Sequence, residues 1–241
     1  MPTRHLLLLS TSRNAEGQFF GHAVEPVRAL IDTGVREATF IPYAAVTVGP
    51  DDYTARVRDS FAQWGVRVTS THEVPDPIKS VERADAIIIG GGNTFRLLER
   101  LQAMSLLAPV RARVNSGAPY LGWSAGSVVA CPTIRTTNDM PIIRPTDFTA
   151  LGLIPFQINA HYNDWHPPNF QGETRAERIT ELLALDPTVC VLGLREGSMV
   201  SVEGEEVTLL GVEGARLFRP GVAPIDLRPG SSLTFLLEQR R

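Results

Sequence analysis

The sequence predicts an α/β protein of three layers, with helices on both faces of a mostly parallel sheet. Over the first two-thirds of the chain, short apolar runs alternate with longer amphipathic ones, the pattern of repeated strand–helix–strand units. Runs such as Ala86-Ile87-Ile88-Ile89 are continuously apolar, as strands are when a parallel sheet is covered on both sides. From residue 199 onward the pattern changes to short strand-like runs broken by glycine or proline, which suggests antiparallel strands completing or flanking the sheet.

The elements follow in order. The leucines at 6–9 make a first strand, followed by a helix over 21–33 and a strand at 38–41. The segment 51–64 repeats apolar residues at three- and four-residue intervals, a helix, and leads to a strand at 66–70. Helices are then expected at 77–84, 93–100, 106–116 and 126–131, with strands at 86–89 and 118–121 between them. A strand at 157–159, an amphipathic helix at 174–185 and a strand at 189–194 close the alternating region. The terminal strand-like runs are 199–202, 206–210, 215–218 and 232–237.

With 241 residues, no repeat and no linker-like tract, a single domain spanning 1–241 is expected. The balance of 23 basic and 26 acidic residues, net charge −3, argues against a domain-wide field for nucleic acid. Lys79 is the only lysine; the other basic residues are arginine, which reflects base composition more readily than a demand for guanidinium. Four leucines near the start are too few for a signal peptide, and no apolar run is long enough to span a membrane. Cys131 and Cys190 sit singly in apolar stretches, as buried free thiols do, and fit a reducing cytoplasm.

The strongest chemical signal is Gly122-Trp123-Ser124-Ala125-Gly126, a G-x-S-x-G pattern between a strand and a short helix. A serine on such a turn is held in a strained conformation that lifts its hydroxyl above the sheet edge, and small neighbours let the chain turn. Ser124 is therefore a candidate nucleophile. It needs a base, and the base needs an orienting carboxylate. Of five histidines, His5 precedes the first strand, His22 and His72 fall in or beside polar connections, and His166 lies in a Trp-His-Pro-Pro loop. His161 follows the strand at 157–159 closely, which places it at the same sheet edge as Ser124. Two acids compete for the third role. Glu196 emerges at the end of the strand at 189–194, and Asp139 lies in a loop fifteen residues after the serine. Strand-end position favours Glu196.

Gly90-Gly91-Gly92-Asn93-Thr94 joins a strand to a helix. Such loops can cradle phosphate, but this spacing matches neither G-x-G-x-x-G nor the P-loop. Beside a serine nucleophile, amides near Gly92 and Ala125 would instead form an oxyanion hole.

These motifs, with 131–141 (Cys-Pro-Thr-Ile-Arg-Thr-Thr-Asn-Asp-Met-Pro), Gln157-Ile158-Asn159-Ala160-His161, Gly172-Glu173-Thr174-Arg175 and Leu194-Arg195-Glu196-Gly197, resemble the peptidase E family of α-aspartyl dipeptidases. The likeness runs from about Leu6 to Glu196. It implies a cytoplasmic serine peptidase without metal or other cofactor, on a fold of the class I glutamine amidotransferase type, cleaving Asp-X dipeptides. It also implies Ser124 as nucleophile and His161 as base, and its acid maps to both Glu196 and Asp139. Arg175 becomes the expected contact for the substrate's aspartyl carboxylate, with Asn93 a second candidate substrate contact. Asp139 would meet the free α-amine if Glu196 serves His161. The expected partner is a small peptide, with no nucleic acid or membrane, and the chain a monomer or homodimer. Alternatives are cyanophycinase-like hydrolysis of β-aspartyl-arginine links, and a non-catalytic protein binding an anionic metabolite at 90–92.

Overall fold

The computed structural model describes residues 3–32, 34–169 and 171–240. Strand β1 (His5–Leu9) is followed by helix α1 (Val24–Ile31), β2 (Glu37–Ile41), α2 (Pro50–Ala62), β3 (Arg67–Ser70), α3 (Pro77–Arg83) and β4 (Ala86–Ile89). Next come α4 (Thr94–Ala103), α5 (Leu107–Asn115), β5 (Tyr120–Trp123), α6 (Ala125–Val129), β6 (Gln157–Tyr162), α7 (Arg175–Leu185) and β7 (Val191–Arg195). The chain continues with β8 (Ser198–Glu203), β9 (Glu206–Gly211), β10 (Ala215–Phe218) and β11 (Ile225–Leu227), then a 3₁₀ helix over Thr234–Arg240. Thr33, expected as the last residue of the first helix, lies outside the described residues.

Helix starts follow local chemistry. Pro50 and Pro77 open α2 and α3, where a missing N–H costs nothing. Asn93 caps α4 by accepting the Arg96 N–H, and Thr174 with Glu177 forms a capping box on α7.

The main sheet has seven strands in the order β3-β2-β4-β5-β1-β8-β9. Its first five are parallel, while β8 and β9 add antiparallel to the β1 edge. Alternate residues feed two cores. Leu6, Leu8, Ile87 and Ile89 pack with Leu97, Val110 and Val129 on one face. Leu7, Leu9 and Ile88 pack with Val27, Val57 and Phe61 on the other. That is the three-layer arrangement expected.

The strands at 157–162 and 191–195 depart from expectation. They leave the main sheet and form a second sheet, ordered β11-β10-β7-β6. The reason is that β8 pairs with β1 along His5↔Glu203 to Leu9↔Met199 and so fills the edge they would need. Ile158, Leu192, Leu194 and Leu217 of this sheet close over the first core. The run 232–237 is also not a strand: Leu233 and Leu236 are buried three residues apart while Phe235 is 39% exposed, a helical spacing. Strand β11 falls in a segment read as connection.

Candidate active site

Ser124 sits between β5 and α6 at φ 52°, ψ −114°, a conformation that strongly disfavours a side chain. The surrounding packing fixes it there. The Ser124 N–H donates to the Leu9 carbonyl at 3.0 Å, and its own carbonyl accepts the N–H groups of Ser127 and Val128 at 2.9 and 3.0 Å. A Cβ on Gly126 would lie 2.1 Å from the Ile89 carbonyl oxygen, and one on Gly122 2.7 Å from the Gly126 backbone. Both glycines are required because the turn presses directly against its neighbours.

His161 also has a positive φ, 54°. It lies at a bulge in β6, where pairing with β7 jumps from Asn159↔Gly193 to Tyr162↔Arg195. Its Nε2 lies 2.8 Å from Ser124 Oγ and its Nδ1 2.9 Å from Glu196 Oε1. Serine and histidine thus come from two different sheets rather than one shared edge. Glu196 follows β7 directly and precedes Gly197, whose φ of +72° turns the chain into β8.

Asp139 is oriented elsewhere. Its Oδ2 accepts the Thr94 N–H at 2.7 Å and the Thr137 hydroxyl at 2.9 Å, at the N-terminus of α4. It nonetheless lines the same cavity as Ser124, His161, Thr94 and Arg175, a space of about 240 Å³. Arg175, at the start of α7, donates through Nη1 to the carbonyls of His161 and Ala160. Burial lowers its pKa, opposed by the negative charge of Glu196.

The Gly90–Gly92 loop runs beside the serine: a Cβ on Gly91 would lie 3.0 Å from Ser124 Cβ. Gly92 has φ +139°, and a Cβ there would meet the Ala44 carbonyl oxygen at 2.3 Å. The Ala125 N–H heads α6, where first-turn amides have no acceptor within the helix. Asn93 is not on the cavity wall; its Oδ1 caps Arg96 and its Nδ2 donates to the Met140 carbonyl at 2.8 Å.

His22 and His72, in or beside connections as expected, are both half-buried. Burial lowers the pKa of His22, with the charge of Glu196 among the opposing influences. His72 joins Ser70 Oγ at 2.6 Å to Asp51 at 2.9 Å, a second Ser–His–Asp string. Ser70, however, is completely buried on β3. Donors from three strands converge on Asp164, in the segment that follows His161. Asp164 accepts Arg195 at 2.7 Å, Arg216 at 2.6 Å and the Tyr162 hydroxyl at 2.8 Å. Burial raises the Asp164 pKa, but these donors outweigh it and hold the carboxyl below its usual range. The segment after His161 is thereby tied to the residue before Glu196. Asp164 and Arg195 lie within three residues of His161 and Glu196 along the chain, whereas Arg216, on β10, carries no such sequence signal.

The model of "Peptidase family S51" matches residues 6–210. The chain is 44% identical to a Peptidase E of Shewanella amazonensis, over 96% of this chain and 98% of the relative. It is 47% identical to a Peptidase E of Streptomyces coelicolor, over 98% and 96%. Two solved structures share the fold. One, a putative peptidase E protein from Listeria monocytogenes EGD-e, aligns with TM-score 0.64 at 22% identity, over 87% of this chain and 99% of the other. The other, a peptidase from an acI-B1 actinobacterium, aligns with TM-score 0.70 at 18% identity, over 97% and 96%. By the extent of these matches, the chain belongs to peptidase family S51.

Proposed function

We propose that this peptidase is a single α/β domain that hydrolyses Asp-X dipeptides by acyl transfer through Ser124, His161 and Glu196. The observation that carries the reading is the hydrogen-bonded string Glu196–His161–Ser124, at 2.9 and 2.8 Å, opening into a cavity that also holds an arginine and a second acid. Ser124 Oγ attacks the carbonyl of the N-terminal residue as His161 Nε2 takes its proton. Glu196 keeps the imidazole in the required tautomer and supports the imidazolium. Amides of Gly92 and Ala125 receive the oxyanion. His161 returns the proton to the departing amine, and water, activated by the same imidazole, releases aspartate.

Arg175 supplies the cation for the aspartyl carboxylate, and Asp139 the anion for the α-amine. A cavity of about 240 Å³ suits one small residue in its acyl half. Asn93 acts as a tie between the glycine loop and Met140 rather than as a substrate contact. No helix among the described residues is long and apolar enough to cross a membrane. Cys131 and Cys190, both buried, fit a reducing compartment, and we place the protein in the cytoplasm.

Release of free aspartate from Asp-Leu, set beside β-Asp-Arg, tests the reading. Turnover of Asp-Leu that Ser124→Ala abolishes supports it. Turnover of β-Asp-Arg alone would assign a β-aspartyl peptidase instead.

A further inference from the structure

The β6–β7 ladder carries one residue too many. Asn159 pairs with Gly193 and Tyr162 with Arg195, so Ala160 and His161 stand opposite Leu194 alone. A bulge of this kind breaks the ladder and leaves backbone groups to be satisfied by something else. Here the Ser10 hydroxyl fills the gap. It accepts the His161 N–H at 2.8 Å and donates to the Leu194 carbonyl at 2.9 Å. Ser10 is completely buried, at the end of β1, and its own N–H donates to the Ser198 carbonyl at 3.0 Å. The preceding residue, Leu9, gives its carbonyl to the Ser124 N–H at 3.0 Å and to the Ser127 hydroxyl at 2.7 Å. Two consecutive residues therefore hold the backbones of Ser124 and His161, and reach within two residues of Glu196.

We propose that Ser10 is a positioning residue whose hydroxyl splices the β6 bulge and so aims the His161 imidazole at Ser124. The inference rests on the Ser124–His161–Glu196 reading given above. A histidine at φ 54° persists only where its surroundings over-determine it. Arg175 grips the bulge through the carbonyls of Ala160 and His161, and Ser10 grips it through the His161 amide. Without the hydroxyl, a half-buried N–H and a buried C=O lose their partner. The bulge can recover pairing by shifting register, and in a strand a one-residue shift turns a side chain to the opposite face. Ser10 is not on the cavity wall, so substrate binding is spared while alignment is lost.

The test compares Ser10→Ala, Ser10→Thr, which keeps the hydroxyl, and Val57→Ala, a core truncation in α2 that is off the cavity wall. On Asp-Leu, Ser10→Ala should lower kcat roughly 10- to 100-fold, the scale of a small misplacement of reacting groups, with KM within about twofold. Ser10→Thr should recover most of the loss, and folded Val57→Ala should keep the wild-type kcat. The rate at which a fluorophosphonate labels Ser124 should fall in Ser10→Ala as kcat does. That readout needs no dipeptide, so normal labelling of a wild-type protein inactive on Asp-Leu would overturn the aspartyl reading and leave the positioning role under test. The positioning role is overturned if folded Ser10→Ala keeps its labelling rate, or if Ser10→Thr labels no faster than Ser10→Ala. Should Ser10→Ala not fold, Ser10→Cys, a weaker donor and acceptor, must label more slowly than wild type; an unchanged rate overturns the role.

Discussion

His161 Nδ1 lies 2.9 Å from Glu196 Oε1, and this contact separates two acids that the sequence alone left in competition. Asp139 shares the cavity but directs its carboxylate to the Thr94 amide and the Thr137 hydroxyl. The two should respond differently to neutralisation. Glu196→Gln keeps the shape and removes the charge that supports the imidazolium. It should lower kcat about 100-fold with little change in KM. Loss of the corresponding charge in a buried triad reaches about 10⁴, but the Glu196 side chain is 68% exposed and partly screened by water. Asp139→Asn should chiefly raise KM for substrates with a free α-amine. Steady-state kinetics on Asp-Leu and N-acetyl-Asp-Leu separate the effects.

The proposed function gives Arg175 two tasks, and its variants should show both. Arg175→Lys keeps a positive charge but loses the planar fork, and should lower kcat/KM for Asp-Leu by about 2 kcal/mol or more, at least some 30-fold. Discrimination between Asp-Leu and Asn-Leu should shrink with it. Because Nη1 also holds the carbonyls of Ala160 and His161, Arg175→Ala should lose kcat as well as affinity.

Much of the fold is legible in the sequence, for local reasons. The apolar runs 6–9 and 86–89 became central strands, and the flanking amphipathic runs became helices on two faces. Ser124 was legible because its turn needs glycine at both ends, and His161 and Glu196 because each sits at the end of a strand. The second sheet was not, since it depends on β8 returning to pair with β1 nearly two hundred residues away in sequence. The bulge that aims His161 was equally hidden, because its stitching comes from Ser10, some hundred and fifty residues earlier in the chain.

Acid should weaken the fold through a site remote from the cavity. The Asp85 carboxylate accepts the N–H groups of Glu37 at 2.9 Å and Arg36 at 3.0 Å, which hold its pKa below the usual carboxylate value against a smaller effect of burial. A depressed folded pKa contributes stability above the unfolded value of about 3.9 and loses it as pH falls through the lower folded value. Asp85→Asn should therefore cost about 1 kcal/mol at pH 7 and reduce the slope of stability below about pH 4. Urea melts of both proteins between pH 3 and pH 7 check this.

Cys131 should be inert while the protein is folded. Burial pushes its pKa up to about 12, and its sulfur accepts the Ile158 N–H at 3.2 Å. A thiol reagent at pH 8 should modify it only as fast as the protein unfolds, and urea should expose it together with Cys190.

The most direct test of the central claim is to trap the acyl-enzyme. Protein quenched in acid during turnover of an activated aspartyl ester should carry an aspartyl adduct on the peptide containing Ser124, and Ser124→Ala should carry none and turn over no substrate. Unimpaired hydrolysis by Ser124→Ala would contradict the account.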